Sequence, residues 1–162
     1  MKKAVVFYSL SGNTQAAAKE IAEGIGVDLI ELKLVKPFPT EKSKQLALGG
    51  MQAMFGMKPS IQELSKNIKE YDVLILGTPI WAGTIAAPVH SFLNKYQVLD
   101  KIVAVFTFSG GGDNKRCIAK LSKRLPRLKV EVALANRDSD LAIHNADKIH
   151  HFIKEVERLV QN

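Results

Sequence analysis

The chain of 162 residues has one cysteine, Cys117, and one tryptophan, Trp81. A lone thiol excludes an internal disulfide framework and fits a reducing, cytoplasmic setting. The histidines His90, His144, His150 and His151 stand at no metal-ligand spacing with cysteine or carboxylates, which argues against a zinc or iron site. No apolar run approaches the roughly twenty residues that a membrane-crossing helix needs. Met1-Lys2-Lys3 followed by Ala4 to Leu10 has the outline of a secretory leader, but its apolar run is too short for one. A Walker loop and a three-glycine dinucleotide fingerprint are both missing. So are an RNP-type aromatic motif and a zinc-finger spacing, so nucleic acid is not expected as a partner. Negative charge is scarce as well: 16 Asp and Glu face 23 Lys and Arg, for a net charge of +7.

What the chain does have begins with Ser9-Leu10-Ser11-Gly12-Asn13-Thr14, set between an apolar strand candidate and an alanine-rich helix candidate. Three hydroxyls and the unpaired N–H groups of a helix's first turn can surround an oxyanion, and the helix dipole adds roughly half a positive charge there. A plain helix cap made by Ser11 or Asn13 is the competing reading. The buried strand candidate from Tyr71 to Leu76 runs into a second such turn, Gly77 to Thr84, which carries Trp81. A third buried strand candidate, Lys101 to Phe108, ends in Ser109-Gly110-Gly111-Gly112-Asp113, where backbone can approach a ligand closely.

Together these loops resemble those of the flavodoxin-like family that binds FMN. The resemblance implies that Ser9, Ser11, Gly12, Asn13 and Thr14 hold the FMN phosphate. It implies further that Thr78, Pro79, Ile80, Trp81, Ala82 and Gly83 flank one side of the flavin ring, with Phe108, Ser109, Gly110 and Gly111 on the other. No catalytic residue is carried over.

Strand and helix candidates alternate along the chain. Lys3 to Tyr8 is followed by a helix from Asn13 that ends near Gly24 or Gly26, and by a strand over Val27 to Leu34. Beyond the strand at Tyr71 lie a helix near Ala87 to Lys95, the strand at Lys101, a helix from Asp113 to Leu125, and a strand around Lys129 to Ala135. The last helix bears the apolar stripe Ile149, Phe152, Ile153, Val156, Leu159 and Val160. Alternation predicts one α/β domain over 1–162, a three-layer sandwich with helices on both faces of a five-stranded parallel sheet of order 2-1-3-4-5. In that order ligands bind beyond the carboxyl ends of strands one and three, where the Ser9 and Thr78 loops fall.

From Lys36 to Ser60 the chain is longer than a plain connection and reads as a short helix and an apolar loop. A second reading makes this segment a flap over the flavin edge that offers a substrate or partner a soft surface, which Met51, Met54 and Met57 suit. Flavodoxins acting as low-potential carriers are typically acidic, and this chain departs from them. It has no carboxylate from Val73 to Leu99, and Lys115, Arg116, Lys120, Lys123, Arg124, Arg127 and Lys129 crowd one acid-free stretch. Such a run is ordinarily a solvated helix face; here it can also steer an acidic redox partner or receive the extra phosphate of NADPH. Positive surroundings favour the anionic reduced flavin, which makes quinones and similar acceptors reachable. Cys117 is expected as a small buried hydrophobe and His90 as helix surface, with proton donation its functional alternative.

Three functions follow as expectations. The first is an FMN-binding carrier passing electrons between redox proteins. The second is an oxidoreductase taking hydride from NAD(P)H and reducing a small acceptor. The third is a phosphate-ligand binding domain without redox turnover. A monomer or weak homodimer is expected in each case.

Overall fold

The structure, a computed structural model, describes residues 1–161. Five parallel strands, β1 (Lys3–Phe7), β2 (Asp28–Glu31), β3 (Val73–Trp81), β5 (Ile102–Ser109) and β6 (Val130–Ala135), form a sheet of order β2-β1-β3-β5-β6. This is the expected 2-1-3-4-5 order once a short extra strand, β4 (Thr84–Ile85), is set aside; β4 folds back antiparallel on the end of β3. The helices are α1 (Asn13–Ile25), α2 (Lys42–Met54), α3 (Ala87–Tyr96), α4 (Lys115–Ser122) and α5 (Asn145–Gln161). Single 3-10 turns at Ile68–Glu70 and Asp140–His144 complete the list.

Each face of the sheet has its own apolar layer, as a parallel sheet covered on both sides requires. Val6, Leu74, Leu76 and Val105 face α3 and α4 through Val89, Phe92, Cys117 and Leu121. Val5, Ile75, Ala104 and Phe106 face α1 and α5 through Ala18, Ile21, Phe152 and Val156. Burying one such aliphatic or aromatic side chain contributes about 1.5–3 kcal/mol. Of the stripe expected on the last helix, Ile149, Phe152, Val156 and Val160 are buried, while Ile153 and Leu159 pack at its margin. Helix α1 ends at Gly26, whose left-handed φ of 72° lets its N–H reach Ala22 O at 2.9 Å.

Two boundaries differ from expectation in a way that matters for the site. The segment after Leu76 is strand, not turn. Gly77, Thr78 and Pro79 pair with Phe106, Thr107 and Phe108, while Ile80 and Trp81 pair with Ile85 and Thr84. Pairing with β5 outweighs the punctuation that glycine and proline impose locally. In the Lys36 to Ser60 segment, the short helix is a full one of 13 residues.

Candidate functional site

Beyond the carboxyl ends of β1, β3, β5 and β6 lies a cavity of about 580 Å³. Its wall includes Leu10, Ser11, Asn13 and Thr14 from the first loop, and Pro79, Ile80, Trp81 and Ala82 from the β3–β4 hairpin. Phe108, Ser109 and Gly110 follow from the end of β5, and Asn136, Arg137 and Asp138 from the end of β6. Lys42, Gln45, Leu46, Gly49 and Gly50 of α2 close it.

The first loop is built to leave donors free. Ser9 does not reach the cavity wall; its Oγ accepts the Gly12 N–H at 3.1 Å and so bends the loop. Gly12, also behind the wall, takes φ 91° in the left-handed region, which only glycine enters without strain. No side chain caps α1. The helix-cap reading of Ser11 and Asn13 is therefore set aside: Asn13 Nδ2 donates to Ser11 Oγ at 3.2 Å. Asn13 Oδ1 accepts from Arg137 instead, from the backbone N–H at 3.3 Å and from Nε at 3.0 Å. The first-turn N–H groups of α1, the positive end of its dipole, thus open toward the cavity beside a guanidinium. Arg137 Nη2 lies 3.4 Å from where a Gly12 Cβ would stand, so the cation sits directly over the loop.

The other end is apolar and aromatic. Trp81 is fixed edge-on against Tyr8, ring centroids 5.8 Å apart at 90°, and tilted at 45° against Phe38 at 5.2 Å. Gly49 of α2 lies flat against it, since a Cβ there would stand 3.3 Å from the indole Cδ2. Burial pushes the Tyr8 phenol up to about 12, so it stays neutral at any ordinary pH. The hairpin that presents Trp81 turns at Ala82 and Gly83, with φ 47° and 74°. Consecutive positive φ values match the twist of a two-residue hairpin.

Thr78 and Gly83 lie behind this wall and act on it indirectly. Thr78 is fully buried; its Oγ1 accepts the Ala86 N–H at 3.1 Å and donates to Pro79 O at 2.8 Å, pinning the hairpin. In the third loop Ser109 Oγ is bonded to both N and O of Asp113. Gly110 is on the wall and Gly111 is not; a side chain at either would meet no protein atom. The glycine that this backbone requires is Gly112, with φ 63°.

The Lys36 to Ser60 segment borders the cavity, but not through its methionines. Met51, Met54 and Met57 are not on the wall, and Met54 and Phe55 are 72% and 73% exposed. The segment reaches the cavity through the other face of α2. The Lys36 to Ser60 segment is thus at the cavity, as its flap reading has it, while Asn136 to Asp138 are absent from the expected site residues. The Gly49-Gly50 pair signals a close approach, and the loop after the last strand occupies the same carboxyl-end position that marked the others. His90 stands apart on α3: burial first, then Arg124 and Lys58, lower its pKa, and Arg124 Nη1 lies 3.5 Å from its Nδ1. Cys117 is buried as expected and its thiol is pushed up to about 11, so it is inert. Among the described residues no His, Cys and carboxylate cluster could hold a metal, and no helix is long and apolar enough to cross a membrane.

A doubly wound parallel sheet with an anion-ready loop and an aromatic slot at its switch point defines the class of nucleotide-binding α/β proteins. Within that class the chain belongs to the flavodoxin family, whose sequence profile matches residues 2–145. It is similar to a flavoprotein of Lactobacillus acidophilus solved in complex with FMN, at 27% identity and TM-score 0.67, covering 91% of this chain and 97% of that one. It is likewise similar to a candidate flavoprotein of Bacteroides eggerthii, at 25% identity and TM-score 0.69, covering 90% and 94%. An NAD(P)H dehydrogenase (quinone) of Syntrophus aciditrophicus is 26% identical over 121 residues, 68% of this chain and 59% of the relative, so the matched part spans about three fifths of that relative's length.

Proposed function

We propose that residues 1–162 act as one FMN-binding redox domain, taking electrons into a noncovalently held flavin and passing them on. The observation that carries this is the pairing of the two ends of the cavity. An uncapped helix N-terminus beside Arg137 suits a phosphate dianion, and an apolar slot of Leu10, Ile80, Trp81 and Phe108 suits a flat ring. A cavity of about 580 Å³ is also within the roughly 300–1,000 Å³ of small-molecule sites. A phosphate-ligand domain without redox turnover would have no use for the aromatic slot.

In this reading Ser11, Asn13, Thr14 and the first-turn N–H groups of α1 hold the phosphate, and Arg137 neutralises it. Ser9, Gly12, Thr78 and Gly83 shape the loops behind them. Trp81, Ile80, Pro79 and Ala82 border the ring on one side, with Phe108, Ser109 and Gly110 on the other, and Gly49 sets how near α2 can come. The flavin, when bound, supplies the electron and hydride chemistry. The protein contributes position, exclusion of water and a field in which Lys42 and Arg137 outnumber the single wall carboxylate, Asp138.

A second reading, turnover of NAD(P)H with a quinone-like acceptor, is favoured by the named quinone-reducing relative and by the excess of positive charge. Titration with FMN, followed through Trp81, the chain's single tryptophan, should quench its emission, and riboflavin should bind far more weakly. Equal affinity for the two would sink the phosphate assignment. Anaerobic addition of NADPH then separates the readings: prompt bleaching of the flavin indicates a reductase, and a flavin left oxidised indicates a carrier awaiting a protein donor.

A further inference from the structure

The net charge of this molecule is a local property. The seven cations between Lys115 and Lys129 match the whole formal charge of +7, and the other sixteen lysines and arginines equal the sixteen carboxylates. Five of those sixteen are ion-paired within the described residues. Lys2, Lys33, Lys44, Lys66 and Lys95 pair with Glu70, Glu31, Glu41, Asp28 and Glu63 respectively. Among the described residues, none of the seven has a carboxylate partner. All but half-buried Arg124 are exposed. Among the described residues their side chains make two polar contacts, Arg124 with His90 and Arg127 with Asp100 O.

One end of this face adjoins the cavity. The Arg116 side chain lies over Gly83, its Cδ 2.9 Å from the position of a glycine Cβ, and Gly83 follows the wall residue Ala82 at the hairpin tip. Helix α4 begins five residues after Gly110, another wall residue. From Arg116 at the cavity end, the unpaired cations run to Arg127 and Lys129 beside the amino ends of β5 and β6; like charges so spaced repel one another, and relief comes from a complementary surface.

We propose that the α4 face is the docking surface for an acidic electron-carrier protein, which it orients with its redox centre toward the hairpin of Trp81 to Gly83. Extent decides the occupant. Eight residues of helix span about 12 Å, and the cations continue past it to Lys129, whereas one phosphate engages one or two cations. The added phosphate of NADPH would leave most of the face unused. A partner protein covers about 800 Å² on each side of an interface, wide enough to engage several of these cations at once. What passes between the two proteins rests on the FMN reading; the docking does not.

The test uses the full chain, with and without FMN, and an acidic [2Fe–2S] ferredoxin as the probe, by calorimetry at low and high salt. A triple variant, Lys115→Glu, Lys120→Glu and Lys123→Glu, should weaken ferredoxin binding at least about tenfold at low salt, and salt should do the same to the parent. A control of equal charge change away from α4, Lys19→Glu, Lys69→Glu and Lys154→Glu, should leave affinity within about twofold. The FMN-free chain should behave alike, so a failure to bind flavin leaves the docking result standing. Equal losses in the two variants would mean that only net charge acts and would overturn the proposal. So would no ferredoxin binding, duplex DNA bound more tightly than ferredoxin by the same face, or an α4 variant that loses NADPH affinity and keeps ferredoxin.

Discussion

A Cβ built on Gly77 would stand 2.2 Å from the ring of Phe106, its neighbour across the β3–β5 ladder. The aromatic ring lies where every other residue would place its side chain, and it packs in turn edge-on against Phe152 at 6.2 Å. Gly77→Ala should therefore lower stability by about 2–3 kcal/mol in urea denaturation, an overpacking cost; a change below about 0.5 kcal/mol would mean that Phe106 moves freely. Arg137 makes a different prediction, because both its bonds to Asn13 shape the phosphate end. Arg137→Gln should weaken FMN about tenfold or more and leave riboflavin unchanged, as loss of a hydrogen bond to a charged group is worth about 1.5–3 kcal/mol. Parallel losses for both flavins would assign Arg137 to loop structure alone. His90 sets a pH dependence. Burial, then Arg124 and Lys58, hold its folded pKa below the ordinary value near 6.5, so just below 6.5 the unfolded chain binds the extra proton. Stability is then lost as pH falls below 6.5, and His90→Gln should flatten the melting temperature between pH 5 and 7. An unchanged slope would place its origin elsewhere.

Helix α2 is the element least supported by its own sequence. Gly49 and Gly50 cost about 1 kcal/mol each relative to alanine, Lys42 opposes the dipole in the first turn, and Glu41 caps nothing with its side chain. Its exposed Leu46, Met51 and Met54 contribute little burial. Amide exchange across α2 should thus be faster than across α5 and should slow on adding FMN, measured by mass spectrometry. Exchange in α2 that ignores FMN would remove the helix from the flavin site. The same weakness explains what was legible beforehand. Strands such as Ile102 to Phe108 and the stripe of α5 show themselves by hydrophobic run and period, so order and layers could be read. A glycine-interrupted, solvent-leaning helix has no such period, and Gly77 to Trp81 looks like a turn because only β5 and β4 make it a strand. At the cavity, Ser11, Asn13, Thr14 and Pro79 to Ala82 were legible from motif; Arg137 and Gly49 were not, because their place there arises from contacts with residues 124 and 32 positions away.

For the molecule as a whole, the cavity is walled by Lys42, Arg137 and Asp138 as its charged groups, with Arg116 of the α4 face over the neighbouring Gly83. A bound flavin's second reduction step, which adds negative charge, should then occur at a higher potential than in acidic flavodoxins, and redox titration under anaerobic conditions reads this directly. A second potential as negative as theirs would show that the surrounding cations are screened from the ring. The wall that creates this field is also spread along nearly the whole chain, from Leu10 to Asp138. A polypeptide emerging from the ribosome presents the Ser11 to Thr14 loop well before its partner across the cavity. Asn13 meets Arg137 only after 124 further residues have been made. Synthesis thus separates half of the cavity from the whole of it, and the wall is complete only when β6 takes its place at the sheet's edge.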